Sequence, residues 1–215
     1  MHLLQSLSET ALGRALIAYF FDLPRWTLAN ILFTAALLPA YLALTGGYYA
    51  IGVMVTLPVV PVIAGMVNMA ASQTLENAPR LKAMFAYPAT LITVFAVWLG
   101  TVLLSMLLLV GMPIAIVFLI GFALFTLLLI GVFAIYLPSQ LKVNGRLIWR
   151  NALVLAVSNP IIGLGMLFLG GIGLWAVWMS KGALIVVMPA LWVLMVAFTI
   201  DDRIKVMQSV ENGAA

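Results

Sequence analysis

The sequence predicts an all-α integral membrane protein: a bundle of six membrane-spanning helices with an amphipathic interfacial helix at its amino terminus. Three observations carry this expectation. Of 215 residues, 66% are hydrophobic and 7% charged, with a mean hydropathy of +1.24. A soluble domain is about 45–50% apolar and about 25% charged, so this chain lacks the charge to cover a water-facing surface. Uncharged stretches of the roughly 20 residues needed to cross a hydrocarbon core of about 30 Å occur six times. The basic residues then fall almost entirely on one side of the connections that those stretches define.

Residues 1–25 read as an amphipathic helix. Ser6-Leu7-Ser8-Glu9 fits a capping box, Leu12, Ala15, Leu16, Tyr19 and Phe20 recur at helical spacing, and Pro24 ends the pattern. With Glu9 and Arg14 interrupting any apolar core, the segment is not expected to be a cleavable signal peptide. It is expected to lie on the leaflet surface. The six spans follow at about 26–44, 48–71, 89–111, 113–137, 152–178 and 183–200, in a single membrane domain covering 1–215, and none of them contains Asp, Glu, Lys or Arg. Continuous apolar runs favour helices over the alternating pattern of barrel strands. The two shortest connections, Thr45-Gly46-Gly47 and Gly111-Met112-Pro113, are breakers by chemistry.

Charge sets the expected orientation. Arg14, Arg25, Arg80, Lys82, Lys142, Arg146, Arg150, Arg203 and Lys205 lie on one side, and Lys181 alone lies on the other. By the positive-inside rule both termini are then cytoplasmic and the spans even in number. A bacterial cytoplasmic (inner) membrane fits this pattern. The net charge of +4 and pI near 9.6 are read as topology, and no nucleic-acid partner is expected.

The polar residues argue against catalysis. The chain has no Cys and one His, at position 2, so thiol chemistry and His/Cys metal sites are excluded. All six carboxylates (Glu9, Asp22, Glu76, Asp201, Asp202 and Glu211) fall in the expected cytoplasmic segments. No phosphate loop, HExxH or GxSxG arrangement occurs. No enzyme activity, metal or cofactor is expected, and ion-coupled pumping is disfavoured without an acid or His at mid-membrane depth.

Uncharged features at depth are the candidate site. Pro58 and Pro61, followed by Gly65 and Asn68, predict a break or unwinding over Leu57–Val62, either lining a cavity or packed as a kink with its carbonyls satisfied. Ser158 with Asn159 and Pro160 forms a second polar break. Small residues at Ala36, Ala40, Ala152, Ala156, Gly163, Gly165, Gly170, Gly171 and Gly173 predict close helix packing. Trp26, Trp149, Trp175 and Trp178 are expected at the membrane interfaces. Lys142, Arg146 and Arg150, spaced i, i+4, i+8, form a stripe suited to anionic headgroups or to a cytoplasmic docking partner.

Two stretches resemble the YesL family of bacterial multi-pass membrane proteins. Leu57-Pro58-Val59-Val60-Pro61-Val62-Ile63-Ala64-Gly65 is similar to that family's Leu-Pro-x-Val-Thr-Ile-Gly-Pro signature, departing from it at Pro61 and at Ala64-Gly65. Tyr136-Leu137-Pro138, continuing through Arg146 and Arg150-Asn151-Ala152-Leu153 to Ser158-Asn159-Pro160, resembles its late basic connector. The resemblance implies no catalytic residues. It does imply a carbohydrate-uptake setting, and so an accessory subunit beside the permease and ATPase subunits of an ABC-type importer in the lipid bilayer. Two alternatives stand beside it: a six-helix solute-capturing component of a vitamin-type importer, and a structural or regulatory membrane protein.

Overall fold

The computed structural model describes residues 10–76, 81–85, 88–108, 112–141, 145–180 and 182–213. It is all-helical, with no strand among the described residues. The helices are α1 (Ala11–Phe21), α2 (Leu23–Thr45), α3 (Tyr49–Met54), α4 (Val59–Glu76), α5 (Pro88–Leu108), α6 (Ile114–Ala134), α7 (Leu137–Leu141), α8 (Arg146–Ser158), α9 (Pro160–Met179) and α10 (Met188–Gly213). Two 3₁₀ turns, Leu81–Phe85 and Ala183–Val186, precede α5 and α10. Five segments are long and apolar enough to cross a membrane: Leu23–Ala43, Ile51–Leu75, Pro88–Leu108, Ile114–Leu141 and Pro160–Val177. This is a multi-pass membrane architecture with apolar outer faces suited to lipid.

The sixth expected span, 183–200, is not one helix. Gly182 turns the chain in the left-handed region at φ 90°, the 3₁₀ turn follows, and α10 begins only at Met188. Pro189 sets that start, because proline belongs in a helix's first turn, where its missing N–H costs nothing. The Ala190 N–H donates across the bundle to Asn30 Oδ1 at 3.1 Å, with both residues fully buried. One of the orphan donors of the α10 amino terminus is thus satisfied by a side chain of α2. The apolar part of α10 ends at Ile200, and Asp201 and Asp202 follow within the same helix.

The fifth span also starts later than expected, at Pro160 rather than near residue 152. Residues 146–158 form the separate helix α8, which buries Ile148, Ala152, Leu155 and Ala156 along one face. It ends because Pro160 offers no N–H and biases Asn159 out of the helical region. Asn159 caps it, its N–H donating to the Leu155 carbonyl at 2.9 Å.

The expected capping box at Ser6–Glu9 lies outside the described residues, which begin at Thr10. Thr10 is the cap, its Oγ1 accepting the Gly13 N–H at 3.0 Å. The helix stops at Asp22, and Pro24 sits in the first turn of α2. Ala15 and Tyr19 of the leaflet-facing stripe are buried within the fold, together with Gly13 and Ala18, where α1 packs on α10, and Leu12 and Phe20 of the same stripe are exposed. Helix α4 occupies the middle of the bundle, against α2, α5 and α10, and buries Met66, Val67, Met69 and Ala70. Small residues set several crossings. A Cβ on Gly163 would lie 2.6 Å from Leu129 Cδ1, one on Gly100 2.7 Å from Leu127 Cδ2, and one on Gly170 3.0 Å from Trp192 Nε1. Gly165, Gly171 and Gly173 meet nothing within 4 Å.

Candidate functional site

The Pro58/Pro61 break falls at Val55–Pro58, between α3 and α4. Each proline deprives the carbonyl four residues earlier of its donor. Both carbonyls find a nearer one: Leu57 N–H donates to Met54 O at 3.1 Å, and Val60 N–H to Leu57 O at 3.1 Å. The break is therefore a tightened turn, and it is pinned from α5. Trp98 Nε1 donates to Thr56 Oγ1 at 2.9 Å, while Thr56 Oγ1 itself donates to Val53 O at 2.6 Å.

The kink also opens a groove. Leu57, Pro58, Val60 and Pro61 form one wall and Leu91, Ile92 and Phe95 of α5 the other, around a volume of about 550 Å³. Val60 is the buried floor, and Ile92 stands 68% exposed at the rim. Every lining residue is apolar, so the groove offers no hydrogen bond to a sugar or other polar solute. Phe95 stacks on Trp98 with ring centroids 5.8 Å apart, which ties the groove wall to the pinned turn.

Gly65 and Asn68 do not join the groove. They face the 3₁₀ connector: a Cβ on Gly65 would lie 2.8 Å from Met84 Cε, and Asn68 Nδ2 donates to Met84 O at 3.4 Å. The connector thus folds back along α4. Asn159 and Pro160 form a third, separate location, where Asn159 Nδ2 donates to Ser158 Oγ at 2.9 Å. Arg146 and Arg150 are exposed on one side of α8, whereas Lys142 lies outside the described residues.

Several polar side chains are buried in α4, α5 and the α6–α7 junction. Gln140 Nε2 donates to Thr74 Oγ1 at 3.0 Å, and Tyr136 Oη donates to Val193 O at 3.0 Å. Asn68 Oδ1, Gln73 Oε1 and Thr90 Oγ1 are buried and bond no protein group. Ion pairs join α1 to α10 and brace α10 itself. Arg14 pairs with Asp202 and lies 5.2 Å over the Phe198 ring, and Lys205 Nζ sits 2.6 Å from the buried Asp201 Oδ2. Among the described residues no three His, Cys, Asp or Glu side chains come together as a metal cluster.

Sequence reasoning missed Asn30, Thr56 and the Gln140–Thr74 pair. An Asn inside an otherwise apolar span was the signal for the first, since such amides are retained where they bond across helices. Trp26, expected as an interfacial anchor, is fully buried within the protein, with its ring N–H bonding no protein group. Comparison with protein-family models, with curated proteins and with solved structures found no match.

Proposed function

We propose that this chain is a non-enzymatic, six-crossing protein of the bacterial cytoplasmic membrane, with both termini cytoplasmic, acting as an accessory subunit of an ABC-type carbohydrate importer. The YesL-like stretches at 57–65 and 136–160 supply the transport setting. The observation that carries the reading is the asymmetry of the bundle's two ends. One end has α1, the folded-back connector, α8 and the charged half of α10, tied by the Arg14–Asp202 pair. The opposite end has tight turns, such as the one at Gly46-Gly47, where Tyr48 N–H reaches back to Ala43 O at 2.9 Å. A chain with so little on one face and a built helical layer on the other is suited to docking partners at the built, positively charged face.

Six crossings fit the composite segment 183–200. Four residues of 3₁₀ turn at about 2 Å each and thirteen of α10 at about 1.5 Å each give roughly 28 Å. That length is close to a hydrocarbon core of about 30 Å.

Gentle extraction followed by identification of the co-purifying chains tests the reading. Permease and ATPase subunits of an importer are expected. A chain that purifies alone, from cells whose sugar uptake survives its deletion, would overturn it. A small molecule retained stoichiometrically would favour the solute-capturing alternative instead.

A further inference from the structure

We propose that the groove between the Pro58/Pro61 turn and α5 holds one acyl chain of an anionic phospholipid, drawn from the leaflet at the bundle's charged end, with Lys82 as the headgroup contact. The groove lies within two membrane-spanning segments, Ile51–Leu75 and Pro88–Leu108. Its walls are wholly apolar, and its α5 wall, Leu91 to Phe95, begins one turn into the helix. At a rise of 1.5 Å per residue that wall ends within about 10 Å of the α5 start, near the end of the helix that the connector leads into.

The dimensions favour a chain over a protein. A volume of about 550 Å³ falls in the roughly 300–1,000 Å³ range of small-molecule sites. A wall of about one helical turn is too short to seat a partner helix of about 10–12 Å diameter. The floor is rigid, because Val60 is buried and the turn is pinned by Trp98, so the groove persists without its occupant.

Charge complementarity selects the headgroup. The 3₁₀ connector Leu81–Phe85 leads into α5, is held against α4 at Gly65 and Asn68, and carries the exposed Lys82. None of the ion pairs among the described residues uses this lysine. Phe85, 88% exposed on the same connector, is placed to enter the headgroup boundary. A cation there attracts an anionic lipid surface, and the groove receives the chain below it.

The test uses the full chain reconstituted in vesicles of phosphatidylethanolamine and phosphatidylglycerol, extracted in mild detergent and weighed by native mass spectrometry. One retained phospholipid per chain is expected, with phosphatidylglycerol enriched several-fold over its share of the vesicle. Ile92→Trp fills the groove from its exposed rim and should cut retention several-fold. Ile161→Trp, on an 82% exposed position of α9, should leave retention unchanged and controls for added surface bulk. Lys82→Gln should keep the retained lipid but abolish the phosphatidylglycerol enrichment. Thermal midpoints of the variants within experimental error of the wild type establish that they fold. No retained lipid, retention indifferent to Ile92→Trp, enrichment indifferent to Lys82→Gln, or a second protein chain cross-linking through Ile92→Cys would each overturn the proposal. None of these outcomes depends on whether importer subunits co-purify.

Discussion

Asn30 shows how much one buried amide controls. Its Oδ1 accepts the Ala190 N–H inside the bundle, where an unpaired donor finds no water. Asn30→Ala should lower stability by roughly 1–2 kcal/mol, read as a fall in the thermal unfolding midpoint in detergent. Asn159→Ala is the matched control, because that amide bonds only within its own helix end, and it should cost less. Equal losses would show that the α10 start does not depend on Asn30. The glycines divide by the same kind of local test. Gly163→Val forces a side chain onto Leu129 and Phe133, whereas Gly165→Val meets open space. The first should cost about 1–3 kcal/mol by overpacking, and the second should leave the midpoint nearly unchanged. Sequence spacing treats the two positions alike, since both belong to one glycine-rich run. Only the identity of the facing helix separates them.

At the level of elements, α1 is held to α10 by shape more than by charge. Arg14 and Asp202 are both substantially exposed, and such pairs contribute about 0–1 kcal/mol and are screened by salt. A double-mutant cycle with Arg14→Ala and Asp202→Ala should therefore give a coupling below about 1 kcal/mol that shrinks in high salt. Ala15, by contrast, is fully buried against α10. Ala15→Trp cannot be accommodated there, so it should release α1 and raise tryptic cleavage at Arg25 several-fold in detergent-solubilised protein, while the rest of the chain stays resistant. Unchanged cleavage would mean that α1 is anchored elsewhere. The amphipathic pattern of 11–21 was legible from sequence because helical periodicity is local. Which residues meet protein was not: Leu12, Ala15, Leu16, Tyr19 and Phe20 read as one leaflet-facing stripe, whereas the buried residues of α1 are Gly13, Ala15, Ala18 and Tyr19, and Leu12 and Phe20 are exposed. Close approach to α10 selects small side chains and leaves the large apolar ones for lipid.

For the molecule as a whole, topology is the decisive property, and the absence of native cysteine makes it directly measurable. Single-cysteine variants Tyr48→Cys, Arg146→Cys and Ser209→Cys place exposed thiols in the turn after α2, at the start of α8 and near the end of α10. A membrane-impermeant thiol reagent added to intact cells should label Tyr48→Cys alone. Labelling of Arg146→Cys or Ser209→Cys under the same conditions would refute the six-crossing, termini-inside arrangement. That experiment bears on the segment 183–200, which is part 3₁₀ turn and part helix.

The amino-acid sequence by itself determined the solvent: charge-free windows, a +4 balance and breakers between the windows specify helices in lipid, because the cost of burying an ionised or unpaired polar group is local and additive along the chain. It also located the prolines at 58 and 61 and the Asn159-Pro160 stop, since a missing N–H acts on its own backbone. The tertiary structure alone decided that the proline turn is satisfied and yet flanked by an apolar groove, that Gly65 and Asn68 serve the connector, that Trp26 is buried, and that α10 starts inside the bundle on an amide from α2. Each of these depends on a partner far away in the sequence, and pairing of that kind is created only when the helices pack.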